Sequence, residues 1–199
     1  MKAMKINENK KSMFTWKVSA TGGYESVWVS FNKRLGFLAE GRIFAQSPKL
    51  YWAEYSLEVD NLGVTRRLLI NASGKGFQNK LEIRNGKNGW KVQGKNDPNL
   101  NGALDCDIAY SPMTNTMPIA RYGLHHRLQS KELLMAFIEM PSLQVVPSKQ
   151  KYTHLKRVQK GGLVHFSSGS FKADLLVDSR AFVMRYPNLG SASIWFVEK

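Results

Sequence analysis

Apolar and polar residues alternate with a period of two along most of the chain. Across residues 50–60, Tyr51, Ala53, Tyr55, Leu57 and Val59 fall on one side, and Glu54, Ser56 and Glu58 on the other. That pattern predicts a half-buried antiparallel strand. Residues 24–31 repeat it, with Val27, Val29 and Phe31 against Ser26, Trp28 and Ser30. So do residues 77–84, with Phe77, Asn79, Leu81 and Ile83 against Gln78, Lys80, Glu82 and Arg84. Further strands are predicted over 13–18, 37–46 (bent at Gly41), 64–71, 90–93, 133–140, 145–146, 150–155, 163–166, 171–177, 182–186 and 194–197. Turn residues separate these runs at intervals of roughly 8 to 12, the spacing of an all-β sandwich or barrel. A polar loop is expected over 95–101. One short helix is expected over 116–124, capped by Asn115, with Pro118 in its first turn where proline is tolerated.

Residues 1–12 are polar, charged and without periodicity, and read as a flexible N-terminus. Residues 13–199 read as a single β-rich domain, with no internal repeat, heptad or linker. The 199 residues carry 29 Lys+Arg against 15 Asp+Glu, a net charge of +14. Such a basic protein favours anionic partners: nucleic acid, acidic membrane surfaces or phosphorylated ligands. The cations are spread along the chain without a dense run, so most read as a solvated surface. Cys106 is the only cysteine, which excludes an intrachain disulfide and fits a reducing, cytoplasmic location. No signal-peptide core and no run of 18 apolar residues is present, so no transmembrane segment is expected.

Candidate chemistry gathers in residues 105–121, DCDIAYSPMTNTMPIAR. Asp105 and Asp107, two apart in a strand, project from one face. They could form an acid–base pair, or cap amides and pair with Arg121 or Arg66. Thr114, Asn115 and Thr116 could meet a sugar or phosphate headgroup, or satisfy their own backbone. Cys106 points to the opposite face from the aspartates. The segment Gly89 to Asn96 nearly matches a phosphate-binding loop. Its strand-like filler and the following Asp97-Pro98 favour a hairpin instead. His154 and His165 stand alone in strands, and Trp28, Trp52, Trp90 and Trp195 suit core packing or an apolar pocket. No nucleophile–base pair, metal-ligand set or cofactor fingerprint accompanies them, so no catalytic residue, metal or cofactor is assigned.

The order of these residues resembles a bacterial family, the putative glycolipid-binding proteins. The family's pattern matches Gly102, Asp105, Asp107, Pro112, Thr114-Asn115-Thr116, Pro118, Ile119 and Arg121. Gln150 and Tyr152 match further on, as do Val177-Asp178 and Tyr186; upstream, Asp60, Thr65-Arg66 and Gly89-Trp90 match. Thr-Asn-Thr-x-Pro-Ile is the specific part. The chain departs at Ala103, where the family commonly has Cys, and near Leu62 and Gly63, where it often has Trp. The resemblance implies a curved antiparallel sheet, an open half-barrel or barrel with one or two short helices, like bacterial lipoprotein carriers. It also implies non-enzymatic binding of an amphipathic small molecule such as a glycolipid on the concave face. Asp105, Asp107, Thr114, Asn115, Thr116, Arg121, Arg66, Gln150 and Tyr152 are the expected ligand contacts. Two other readings stay open: an enzyme acting on a sugar or lipid headgroup through Asp105 and Asp107, and weak contact with polyanions or anionic membranes through the basic surface. Oligomeric state is not legible.

Overall fold

The alternating segments pair with their neighbours in the chain and build one sheet. A computed structural model describes residues 11–32, 36–187 and 189–195. Residues 1–10 of the polar N-terminus and residues 196–197 of the last expected strand lie outside them. Among the described residues fifteen strands form the sheet. They are β1 (Lys11–Val18), β2 (Gly23–Asn32), β3 (Gly36–Ala45), β4 (Tyr51–Val59), β5 (Thr65–Gly74), β6 (Phe77–Gly86), β7 (Gly89–Val92) and β8 (Lys95–Asn96), then β9 (Asp105–Ile108), β10 (Ser130–Ile138), β11 (Val145–Val158), β12 (Gly161–Ser168), β13 (Phe171–Asp178), β14 (Val183–Tyr186) and β15 (Gly190–Trp195). One helix, α1 (Thr116–Tyr122), is present with three short 3-10 turns.

The two halves of the chain are antiparallel meanders joined where β1 pairs with β15. The spatial order runs from β8 down to β1, then from β15 down to β9. Among the described residues only the β9–β10 pair is parallel. The sheet curls until its β9 edge reaches β5. There the Thr65 amide donates to the Leu104 carbonyl (3.1 Å) and the Cys106 amide to Thr65 Oγ1 (3.4 Å). No ladder joins β9 to β5, so the ring is an open half-barrel rather than a sealed one. This is the mainly-β, curled-sheet class expected above.

Alternation places one side of each strand inside. Phe14 and Trp16, Val27 and Val29, Leu57, Leu68 and Ile70, Tyr152, Val164 and Leu175 are buried there. Each large apolar side chain so buried contributes about 1.5–3 kcal/mol. The concave side is not empty. Met113, Met117, Ile119 and Leu124, which follow β9, belong to the same core. The connection from β9 to β10 therefore runs inside the curl as an insert.

Several local expectations shift. Residues 145–146 and 150–155 are one strand, β11, with a bulge between His154 and Lys156. The polar loop at 95–101 holds β8 and a 3-10 turn, Pro98–Leu100. The phosphate-loop look-alike is a hairpin, Lys91 pairing with Asn96. Helix α1 ends two residues earlier than expected. Gly123 takes a left-handed φ of 64° at its C-cap, with Gly123 N–H on Ala120 O (3.0 Å) and Leu124 N–H on Ile119 O (2.9 Å). That is a glycine-terminated Schellman end.

Candidate functional site

The insert is fastened to the sheet by polar side chains, and these include most of the residues singled out above. Strand β9 supplies two of them. Asp105 and Asp107 are both buried, one step apart on the same face, while Cys106 turns away and its Sγ lies 3.8 Å from Thr65 Oγ1.

Asp105 holds Arg121, at the end of α1, in a bidentate pair. Nη1 donates to Oδ1 at 2.8 Å, Nη2 to Oδ2, and Nη1 also reaches the Gly63 carbonyl at 2.6 Å. The side chains are 1% and 11% exposed, so the pair is screened from water. Burial pushes the Asp105 carboxyl up and Arg121 opposes it. The guanidinium keeps its charge at any ordinary pH and needs a carboxylate that accepts on both oxygens.

Asp107 accepts from Thr114 Oγ1 and Gln150 Nε2, each at 2.6 Å. Burial pushes its pKa up to about 6 against those two hydrogen bonds. The Tyr152 hydroxyl, from β11, is shared between Asn115 Oδ1 (3.0 Å) and Gln150 Oε1 (2.9 Å). Asn115 Nδ2 donates to the Ser111 carbonyl at 3.3 Å. The expected cap is thus replaced. Asn115 stands at the helix start but makes no cap bond with its side chain, because that side chain links β11 to the turn before α1.

A third fastening was not expected. Glu25 of β2 is fully buried and accepts from Ser111 Oγ (2.6 Å), the Tyr55 hydroxyl (2.7 Å) and, at 3.5 Å, the Met113 amide. Burial pushes its pKa up to about 7, opposed by those bonds and raised further by the charge of Asp107. Tyr55 reaches it from β4 by lying across Gly41 of β3, the residue directly between the strands in register. A Cβ at Gly41 would sit 2.1 Å from Tyr55 Cζ. The sequence signal was a carboxylate on the Val27/Val29 side of an alternating strand, a polar residue at an inward position.

Of the nine residues expected to meet ligand, Asp105, Asp107, Thr114, Asn115, Arg121, Gln150 and Tyr152 come together in this network. Thr116 is buried close by in sequence, its hydroxyl without a partner among the described residues, as is the Tyr51 hydroxyl. Arg66 stands apart on the surface, paired with Asp60 at 2.6 Å. The enzyme reading needs a cleft with both carboxylates exposed. Here Asp105 is 0% exposed and Asp107 7%, and each has its acceptors occupied. Among the described residues no group of three or more His, Cys, Asp or Glu is placed to hold a metal ion. Among them, too, no helix is long and apolar enough to cross a membrane.

Over residues 13–191 the chain matches a family described as putative glycolipid-binding. Among solved structures it is similar to a DUF1089 family protein from Pseudomonas aeruginosa, at 26% identity and a TM-score of 0.66, covering 95% of this chain and 96% of that one. It is also similar to a β-barrel-like protein of the domain of unknown function DUF1849 from Brucella abortus, at 7% identity and a TM-score of 0.53, covering 94% and 98%. The second likeness shows the fold alone. A comparison with curated proteins finds no match.

Proposed function

Because the chain belongs to the putative glycolipid-binding family, we propose that it binds an amphipathic, glycolipid-like ligand on the inner face of the half-barrel and releases it unchanged. The observation that carries this reading is the manner in which the inner face is covered. Residues 109–124 lie against an apolar sheet lining; past the Ala109 amide, which donates to the Ile138 carbonyl of β10 (2.9 Å), they are tied to it by side-chain hydrogen bonds and one ion pair, not by a strand ladder. An element held so can leave its seat without breaking the sheet.

In this reading the ligand's acyl part takes the place of Met113, Met117 and Ile119 against the lining. Its polar head meets the groups that the departing insert uncovers: Asp105, Asp107, Gln150 and Tyr152 on the sheet side, and Thr114, Asn115, Thr116 and Arg121 on the insert. The hydroxyls of Thr116 and Tyr51, without a partner among the described residues, support it, since buried polar groups are ordinarily satisfied and these two have capacity to spare. The apolar lining also suits an acyl chain better than a wholly polar solute.

Native mass spectrometry of the protein purified from cell extract tests the reading, followed by titration of delipidated protein with glycolipids. Co-purifying lipid, or saturable binding that protects residues 109–124 differently from the free state, is the expected result. Protein that carries no lipid in any preparation and binds none on titration refutes it.

A further inference from the structure

On the outer face, one row of side chains across β2, β3 and β4 is wholly aromatic. Tyr24 of β2 pairs in register with Phe44 of β3, and Phe44 with Trp52 of β4. The three rings stand side by side across three strands, 50%, 45% and 53% exposed. Leu50, just before β4, adds a side chain that is 60% exposed. Half-exposed aromatics of this size present an apolar patch on the order of 300 Å². Contact between neighbouring aromatic rings stabilises any sheet. What distinguishes this row is its position and its surroundings.

The row lies one residue from the strand ends, at the rim formed by the β1–β2, β3–β4 and β5–β6 connections. Residues 19–22, 46–50 and 75–76 in those connections contain no carboxylate. They contribute Lys49 and Lys75, and Lys17 of β1 stands opposite Tyr24. Lys49 Nζ lies 4.0 Å from the Phe77 ring centroid, so its charge is held at the rim. One row further from the rim, Arg42 faces Glu54, and these offset each other. The rim is thus an apolar strip with cations and no anion of its own, on a chain of net charge +14.

We propose that this rim docks on a lipid bilayer whose surface carries anionic headgroups, with Tyr24, Phe44 and Trp52 entering the interfacial layer and Lys17, Lys49 and Lys75 meeting the headgroups. Tyrosine and tryptophan favour that layer because each has an apolar body and a polar edge. Each lysine held near such a surface adds about fivefold to the affinity, and salt removes that gain. The rim is on the outside of the sheet, so docking does not require a ligand on the inner face and stands or falls separately from it.

The test is co-sedimentation of the full chain with phosphatidylcholine vesicles, with and without phosphatidylglycerol, at low and high salt. The expected result is binding to the phosphatidylglycerol vesicles that weakens with salt. Phe44→Ser/Trp52→Ser lowers it at least tenfold while the far-ultraviolet dichroism is unchanged, and Lys17→Gln/Lys49→Gln/Lys75→Gln lowers it and flattens the salt dependence. Leu128→Ser, which removes an 87% exposed apolar side chain elsewhere, leaves binding as it was. No binding to anionic vesicles overturns the proposal. So does binding that Phe44→Ser/Trp52→Ser does not change, which would be general electrostatic attraction, and so does a self-association lost in that variant without vesicle binding, which would make a second copy the occupant.

Discussion

Glu25→Gln is the most direct probe of how the insert is held. Glu25 is fully buried, and its carboxyl is moved from an ordinary 4.5 to about 7, chiefly by burial. A raised pKa means that the folded protein binds the proton more tightly than the unfolded chain does. The stability linked to that proton is complete below about pH 4.5 and is lost as the pH rises through about 7. A displacement of this size corresponds to about 3 kcal/mol. Glutamine keeps the acceptor for Ser111 and Tyr55 and cannot ionise. The two proteins should therefore unfold at similar urea concentrations at pH 5, and the variant should be more stable by about 2–3 kcal/mol at pH 8. Asp107, raised to about 6 by burial, acts in the same sense at lower pH. His125 and His126, lowered by burial, act in the opposite sense. The difference between wild type and variant, measured by urea unfolding at each pH, isolates Glu25 from both. Parallel stability profiles from pH 5 to pH 8 would refute the burial argument.

Arg121→Met leaves Asp105 buried and unpaired, and should cost about 3–5 kcal/mol in urea unfolding, whereas Asp105→Leu/Arg121→Met should recover most of it; a loss below about 1 kcal/mol in the single variant would show that the pair does not hold the insert. Gly41→Ala should cost about 1–3 kcal/mol, because its methyl meets the Tyr55 ring, and Tyr55→Leu in the same chain should give part of that back in a thermal melt. Ser111→Ala removes a hydrogen bond to Glu25 without touching a group proposed to meet the headgroup. It should raise the apparent affinity for a glycolipid severalfold in titration, because the open form becomes more populated; weaker binding would count against displacement of the insert.

The strands were legible because each has a wet and a dry side, and period two survives wherever that holds. From Asp105 to Ile119 it fails. Apart from Tyr110 every residue of that stretch is buried, so its polar residues give no alternation to read. Ser, Thr, Asn and Pro in such density ordinarily mark a solvated turn. Here the turn is swallowed by the curl of the sheet, a consequence of the β1–β15 pairing and the approach of β9 to β5, both of which are long-range. The grouping of Gln150 and Tyr152 with the aspartates came only from the family resemblance. Glu25 could have been found from its own strand, by noting a carboxylate in the company of Val27 and Val29.

A polar fastening is an odd choice if stability were the only demand. A buried ion pair gives little net stabilisation over apolar side chains of similar volume, since both charges lose their hydration. What it gives is a single seat. Met113, Met117 and Ile119 would pack against an apolar lining in more than one register. The bonds from Glu25, Asp107, Tyr152 and Asp105 are directional and are satisfied in one position only. The same arrangement eases exchange with an amphipathic ligand under the function proposed above. An acyl chain replaces apolar contacts with apolar contacts, and a hydroxylated head offers donors and acceptors to the groups that the insert releases. Neither the lining nor the polar cluster is then left uncompensated, so the difference between closed and occupied states stays small enough for binding to shift it. An insert packed by apolar contacts alone would leave the ligand's head no polar partners against the lining, and one tied by a strand ladder could not leave without opening the sheet.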